Sequence, residues 1–355
     1  MQNATLIGLS SVQHFLVDGL CICCMFLLAG IYGESFGAYG DRVSMGTVLI
    51  YNVLAFMSQP LTGMMADRME RRHWLLIVSS LLLTLAVASA SLIPTLMRVS
   101  PNLMWDGLGE WMMVLVAVLL GAGNSFFHVW GGKQTVVMTG NDIRALGVFV
   151  STGALGLAVG FVCRSWTLLY GLLLAIVAVA IVYVHIEFVG TEAKGCEGER
   201  TGKGRIRPPL TEDCSMKTQS PTQDGKQTLM FVLALMVFVG CRSFASEMFS
   251  GGITKTQELI LLIAVFAMLG KMAGGWIARW MGIWRSLAVI LAGVVLCFVF
   301  GGYNDVVLLA GVFLMNCTMP VTLYLANVLL PRREGLAFGL LAAALIPGYL
   351  LAVYW

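Results

Sequence analysis

Long apolar runs alternate with short polar turns along the whole chain. A helix needs about 20 apolar residues to cross ~30 Å of hydrocarbon. Eleven runs reach that length, at about 5–31, 43–65, 73–94, 108–131, 143–163, 165–188, 228–250, 257–280, 284–302, 306–330 and 335–355. The pattern predicts an all-α polytopic membrane protein.

One long polar segment, 187–227, interrupts this alternation and is rich in glycine and in both signs of charge. Such a composition is typical of a linker. We therefore expect an N-terminal six-helix bundle over residues 1–188, a cytoplasmic linker over 189–227 and a C-terminal five-helix bundle over 228–355. A twelfth helix is either absent from the protein or lost because the reading frame is cut short.

The amino-acid composition also indicates an integral membrane protein. The chain is 58% hydrophobic and 12% charged, whereas a soluble domain carries about 25% charged residues. Most of the nine cysteines fall in or beside apolar runs, where cysteine acts as a small hydrophobe. A net charge of +3 is too small to indicate nucleic acid as a partner.

Lysine and arginine concentrate in alternate loops and in the linker, which sets the expected orientation. The loops with many basic residues belong inside, so the N-terminus and the linker are predicted to be cytoplasmic and the C-terminus external. We expect a multi-pass protein of a bacterial inner membrane.

The sharpest polar feature is a short basic turn after the second apolar run. It reads G-x-x-x-D-R-x-E-R-R, and its residues are Gly63, Asp67, Arg68, Glu70, Arg71 and Arg72. This turn resembles the signature loop of the major facilitator superfamily, which usually has glycine where Glu70 stands. The resemblance implies a fold of two helical bundles and a conformational gate at Gly63, Asp67, Arg68, Arg71 and Arg72. An ordinary positively charged cytoplasmic loop is the alternative.

Further motifs in the first half resemble the fosmidomycin-resistance branch of that superfamily. They are His14-Phe-Leu-Val-Asp18, Gly121-Ala-Gly-Asn-Ser-Phe-Phe-His128, Gly131-Gly, Gly140-Asn-Asp-Ile-Arg144 and the glycine-rich run from Gly147 to Gly160. This resemblance implies export of drug-type compounds.

Glycines recur along the fifth predicted helix, at Gly147, Gly153, Gly156 and Gly160. Small residues let two helices approach closely in lipid, where close packing replaces the hydrophobic driving force. The stripe therefore predicts a helix-packing face.

Ionisable residues inside apolar runs are few, and each costs at least ~2.5 kcal/mol at the centre of a spanning helix. His14 and Asp18 lie four apart, so they share a helix face, and His128 lies toward the end of the fourth run. We expect these three residues to couple transport to protons, with Asp18 as the carrier near Arg242 in the seventh helix. A static structural role is the alternative, and Lys271 can also place its amine at the membrane surface.

Other polar residues in the runs are candidates for a central substrate cavity. They are Asn52, Gln59, Asn124, Arg242, Lys271 and Asn316. The two basic residues among them would suit an anionic group.

The expected function is secondary active transport, namely proton-coupled efflux of a small drug-like or anionic compound by alternating access. The alternatives are proton-coupled uptake of an organic anion or metabolite, and a non-transporting membrane scaffold or sensor. No nucleotide-binding motif is visible, so we expect no cofactor, no enzyme activity, no resident metal, and a monomer. A metal bound by His14, Asp18 and His128 is the best enzyme-class alternative.

Overall fold

The computed structural model describes residues 2–69, 73–100, 102, 107–201, 225–251, 256–300 and 304–354, and all regular structure in them is helical. In chain order the helices are α1 (Gln2–Asn52), a π-helical turn (Val53–Met57), α2 (Gln59–Arg68), α3 (Trp74–Val99), α4 (Gly109–Thr139), α5 (Ile143–Val162), α6 (Trp166–Thr201), α7 (Gly225–Gly251), α8 (Gln257–Met281), α9 (Ile283–Phe300), α10 (Asp305–Leu329), α11 (Glu334–Ala343) and α12 (Leu345–Tyr354). By length and composition, ten helical stretches in the described residues can cross a membrane. The all-α polytopic prediction is confirmed.

The first of these stretches, from Asn3 to Arg68, contains two of the predicted spans. It folds back at Gly37, whose φ of 56° and ψ of −138° interrupt the helix. Eight residues of straight helix would separate Tyr32 from Gly40 by about 12 Å. A Cβ atom on Gly40 would instead meet the carbonyl oxygen of Tyr32. The chain therefore reverses here, because glycine tolerates a positive φ.

Three boundaries differ from the sequence expectation. Helix α4 continues to Thr139 and ends at Gly140 with a φ of 64°, so His128 lies inside this helix and not near its end. The last predicted span is divided after Ala343, because Pro347 has no N–H to donate to the carbonyl four residues earlier. The predicted linker begins as helix up to Thr201, and its residues 202–224 lie outside the described residues.

Helix α1 lies at the centre of the early helices. Helix α1 packs against α4, α5 and α6. The most extensive contacts between the early and the later helices are those of α5 with α8 and of α2 with α11. The largest buried side chains, among them Trp130, Phe127 and Phe149, surround the contact of α1, α4 and α5.

The glycine stripe of α5 explains how closely these helices approach. A Cβ atom on Gly156 would meet the carbonyl oxygen of Phe15, and one on Gly160 would meet that of Gly19, both in α1. A Cβ atom on Gly147 would lie 2.7 Å from the carbonyl oxygen of Lys271 in α8. The stripe thus brings the backbone of α5 against two different helices.

Candidate functional site: a buried histidine–aspartate cluster beside two cations

Asp18, His14 and His128 come together between α1 and α4. The Nε2 atom of His14 lies 3.3 Å from Oδ2 of Asp18, and Nε2 of His128 lies 2.9 Å from Oδ1. All three side chains are buried. The helical spacing of four explains the first contact, whereas the second depends on the packing of α4 against α1.

A backbone carbonyl fixes the proton on one nitrogen of His14. Its Nδ1 atom lies 2.8 Å from the carbonyl oxygen of Phe149 in α5. Because a carbonyl only accepts hydrogen bonds, Nδ1 must carry a hydrogen. In the neutral ring, Nε2 then holds a lone pair that faces the carboxylate of Asp18.

The two oxygens of Asp18 are in different surroundings. Oδ1 accepts hydrogen bonds from His128 and from Nδ2 of Asn124, the latter at 3.1 Å. The same Asn124 nitrogen lies 3.4 Å from the hydroxyl of Tyr51. Oδ2 faces His14. A proton shared with Asp18 therefore belongs at Oδ2, in the contact with His14.

Gly153 leaves the space that this contact occupies. A Cβ atom at this position would lie 2.7 Å from Cδ2 of His14 and would also meet Oδ2 of Asp18. Within the glycine stripe, Gly153 thus differs from Gly156 and Gly160, because it makes room for polar side chains and not for backbone.

The cluster lines a central cavity of about 260 Å³. The other walls are mostly apolar and come from both ends of the chain; they include Phe56, Val150, Leu157, Phe338 and Leu341. Arg242, Glu247 and Lys271 also line this cavity. A second cavity of about 110 Å³ adjoins it, because the same three charged residues line both, together with Ser243, Ser246 and Asn316.

Arg242 is buried without the acidic partner expected from the sequence. Its side chain is 6% exposed. Within the part of the chain that the structure describes, Nε of Arg242 has no hydrogen-bond partner. The expected pairing of Asp18 with Arg242 is not formed, since the two histidines and Asn124 take up the carboxylate instead.

The basic turn of the sequence forms part of a contact between α2 and α11. Asp67 accepts hydrogen bonds from the backbone N–H groups of Gly335 and Leu336, both at 2.9 Å. These N–H groups lie at the start of α11, where a helix favours negative charge. Lys133 of α4 lies 3.6 Å from Asp67 and donates to the carbonyl oxygen of Ala66 at 2.6 Å.

Glycines allow α2 and α11 to meet backbone to backbone. A Cβ atom on Gly335 would lie 2.8 Å from the carbonyl oxygen of Gly63, and one on Gly339 would meet the carbonyl oxygen of Gln59. We call the contact formed by Gly63, Asp67, Gly335 and Gly339 the gate.

The contact of α5 with α8 lies beside Asp142, which caps α5. The Asp142 carboxylate accepts a hydrogen bond from the backbone N–H of Arg144 at 2.9 Å and pairs with its guanidinium at 2.7 Å. Burial raises the pKa of Asp142, but these bonds to Arg144 outweigh it and hold the pKa below its usual value. A Cβ atom on Gly275 of α8 would lie 2.6 Å from the carbonyl oxygen of Ile143.

The remaining predicted residues lie elsewhere. Asn52 donates to its own helix at Val48 and lines neither central cavity. Gln59 is buried beside the gate. Arg68 is exposed, and Arg71 and Arg72 lie outside the described residues.

Two functional candidates were missed in the sequence. Glu247 lies inside the predicted span 228–250, so the rule that singled out Arg242 could have found it. Tyr51 gave no signal, because only the fold shows that its hydroxyl meets Asn124.

The three central side chains offer ligand atoms within 4.8 Å of one another. Carboxylate oxygens and imidazole nitrogens can each accept a proton, so the cluster can hold a proton and pass it between its members. The same donor types also suit a divalent metal, so the metal alternative still competes with the proton.

Helices that span a membrane around a buried, charged cavity are the features of a polytopic membrane transport protein. The family description Major Facilitator Superfamily matches residues 14–353, and the chain belongs to this superfamily of transporters. No protein among the curated sequences matches the chain.

Solved structures share the same fold. The major facilitator transporter FucP in its outward conformation has a TM-score of 0.61 at 13% identity, over 100% of this chain and 91% of that one. A bacterial homologue of the iron transporter ferroportin in an outward-facing state gives 0.58 at 17% identity, over 98% and 91%. The human organic anion transporter MFSD10 (TETRAN) gives 0.60 at 14% identity, over 99% and 94%. The protein thus has the major facilitator fold.

Proposed function

We propose that this protein moves a small molecule by alternating access and that protons carried by Asp18, with His14 and His128, drive the movement. The contact between Oδ2 of Asp18 and Nε2 of His14 carries the proposal. With Nδ1 of His14 already protonated, this contact is repulsive unless one more proton lies on either atom. The cluster lines the cavity, so a conformational change can alter its access to water.

The finer proposal follows the sequence resemblance: efflux of a drug-like or anionic compound by proton antiport, in a bacterial plasma membrane with the N-terminus inside. In that orientation the gate closes the cytoplasmic side, which supports an outward-facing state. The alternative is uptake of an organic anion together with protons, and the cations Arg242 and Lys271, which line both cavities, favour it. We propose neither a catalytic reaction nor a partner protein.

Transport assays on the purified protein in lipid vesicles test this function. Compounds are screened for uptake and efflux with and without a pH gradient. For a transported compound, Asp18→Asn keeps the size of the side chain but removes its titration. We expect this variant to lose gradient-driven accumulation at least about tenfold and to keep exchange of the compound down its own gradient.

Asp41→Asn is the matched control, because Asp41 is exposed near the turn at Gly37, and it should behave as the wild type. Full pH-driven accumulation in Asp18→Asn would refute the proton assignment. Flux or binding that requires added Zn²⁺ or Mn²⁺ and ignores the pH gradient would support a metal site instead. Absence of flux for every compound would favour the scaffold or sensor alternative.

A further inference from the structure

Two cations and one acid from the later helices surround the smaller cavity. Arg242 and Glu247 belong to α7, and Lys271 belongs to α8. Arg242 is 6% exposed, and within the described residues its Nε lacks a partner. A buried polar atom without a hydrogen-bond partner is costly, so this arrangement suits a protein that completes it with a ligand.

We propose that Arg242 and Lys271 bind the charged head of a small organic anion, and that this anion and the proton at Asp18 move in the same direction. The proposal rests on the proposed proton-coupled transport and names its substrate class, and for the direction of coupling it takes the uptake alternative in place of antiport.

Cavity shape supports an amphipathic anion. The smaller cavity, of about 110 Å³, is several times the ~30 Å³ that one water occupies in the liquid, so a carboxylate head fits. Ser243, Ser246 and Asn316 add neutral polar groups around it. The adjoining cavity of about 260 Å³ has mostly apolar walls and suits an apolar body.

Charge accounting gives the sign of the coupling. The charged and titratable side chains that line the two cavities are Arg242, Lys271, Glu247, Asp18, His14 and His128. With the extra proton, the Asp18–His14 pair is neutral and the two cations face one acid, Glu247. Without it, Asp18 adds a second negative charge. Lys271 lies within electrostatic range of both Arg242 and Asp18.

Proton binding therefore strengthens anion binding, because it removes a negative charge from the cavity wall. By linkage, the anion strengthens proton binding by the same factor. Other groups around Asp18, namely Asn124, Tyr51 and Cys21, stay neutral in both states. A carrier with this linkage favours the empty and the doubly loaded forms, which is co-transport. Exchange would require the opposite sign.

Binding to the full-length protein in detergent tests this without any gradient. The probes are benzoate and naphthoate, each compared with its neutral amide, by calorimetry at about pH 5.5 and about pH 8, on either side of the histidine range. We expect each anion to bind at least about tenfold more tightly than its amide and to bind more tightly at the lower pH. A pH indicator in weak buffer should show proton uptake on binding at the higher pH.

Variants locate the site. Arg242→Met and Lys271→Met should each remove the preference for the anion, whereas Arg285→Met, at an exposed arginine, should keep it. Asp18→Asn should still bind the anion but without pH dependence or proton uptake.

The possible failures are distinguishable. Anions that bind no better than their amides overturn the anion site, while loss of gradient-driven flux in Asp18→Asn would still uphold the proton proposal. Proton release on anion binding overturns co-transport. If the affinity for the anion still depends on pH in Asp18→Asn, the assignment of the proton to Asp18 is overturned, while the anion site stays in place.

Discussion

The buried charged residues of the early helices and of the late helices differ in how many partners they have. In the first half, Asp18 is held by two histidines and an amide, each within 3.3 Å. In the second half, Arg242 is as deeply buried, and within the described residues its Nε atom has no partner. In the function proposed above, the first site lacks only a proton and the second lacks a ligand. Under that proposal, the energy source and the cargo of the transporter occupy separate sites that are coupled through charge.

Crowding the complete site should have the largest effect on gradient-driven flux. Gly153→Ala places a Cβ atom within 2.7 Å of the His14 ring, closer than packed atoms tolerate. Overpacking costs about 1–3 kcal/mol, and the Asp18–His14 contact should open. We expect gradient-driven flux to fall at least about tenfold, measured in vesicles.

Gly171→Ala in α6 is the matched control, because no atom lies within 4 Å of its Cβ position. It should leave flux unchanged and raise stability by up to ~1 kcal/mol through helix propensity. Unchanged pH-driven flux in Gly153→Ala would show that the contact has no role in coupling.

Thermal unfolding compares the two sites directly. Asp18→Ala removes the carboxylate that His14, His128 and Asn124 surround and should lower stability by about 3–5 kcal/mol, the usual cost of breaking a buried charged network. Arg242→Met replaces a buried cation with an apolar side chain of similar length. It should be neutral or raise stability by about 1–4 kcal/mol, although binding is lost.

The comparison fails if Arg242→Met lowers the unfolding midpoint as much as Asp18→Ala does. That result would mean that the cation is already paired in the resting protein.

Loosening the gate should have the smallest effect on flux. The change alters the balance of conformations but not the charge of either site, so it tests the comparison from outside both sites. Asp67→Asn weakens the bonds to the N–H groups of Gly335 and Leu336, at a cost of about 1.5–3 kcal/mol. We expect slower transport with normal membrane insertion, and faster hydrogen exchange of those two amides. Asp142→Asn is the control, since Asp142 bonds within its own helix end. Unchanged exchange and flux in Asp67→Asn would reduce the turn to a topology signal.

Helical spacing alone predicted that His14 and Asp18 share a face, and apolar run lengths predicted the all-helical membrane fold. His128 was also named from the sequence, but spacing could not show its contact with Asp18, because the two residues lie on different helices. Arg242 lines the same cavity as Asp18 but does not pair with it in this structure, and such distances between helices are set by packing, which a single sequence does not show. Orientation in the membrane stays a prediction.

The π-helical turn Val53–Met57 has a consequence for helical phase. Residues five apart in an α-helix point about 140° away from each other, at 3.6 residues per turn. A π-turn, with its hydrogen bonds to the fifth residue, brings such residues to the same side. Tyr51 can thus meet Asn124 while Phe56 faces the ring of His128 at 6.4 Å. Because the π-turn holds about one more residue than an α-helical turn, Tyr51 and Phe56 of the same segment can both reach the groups that surround Asp18.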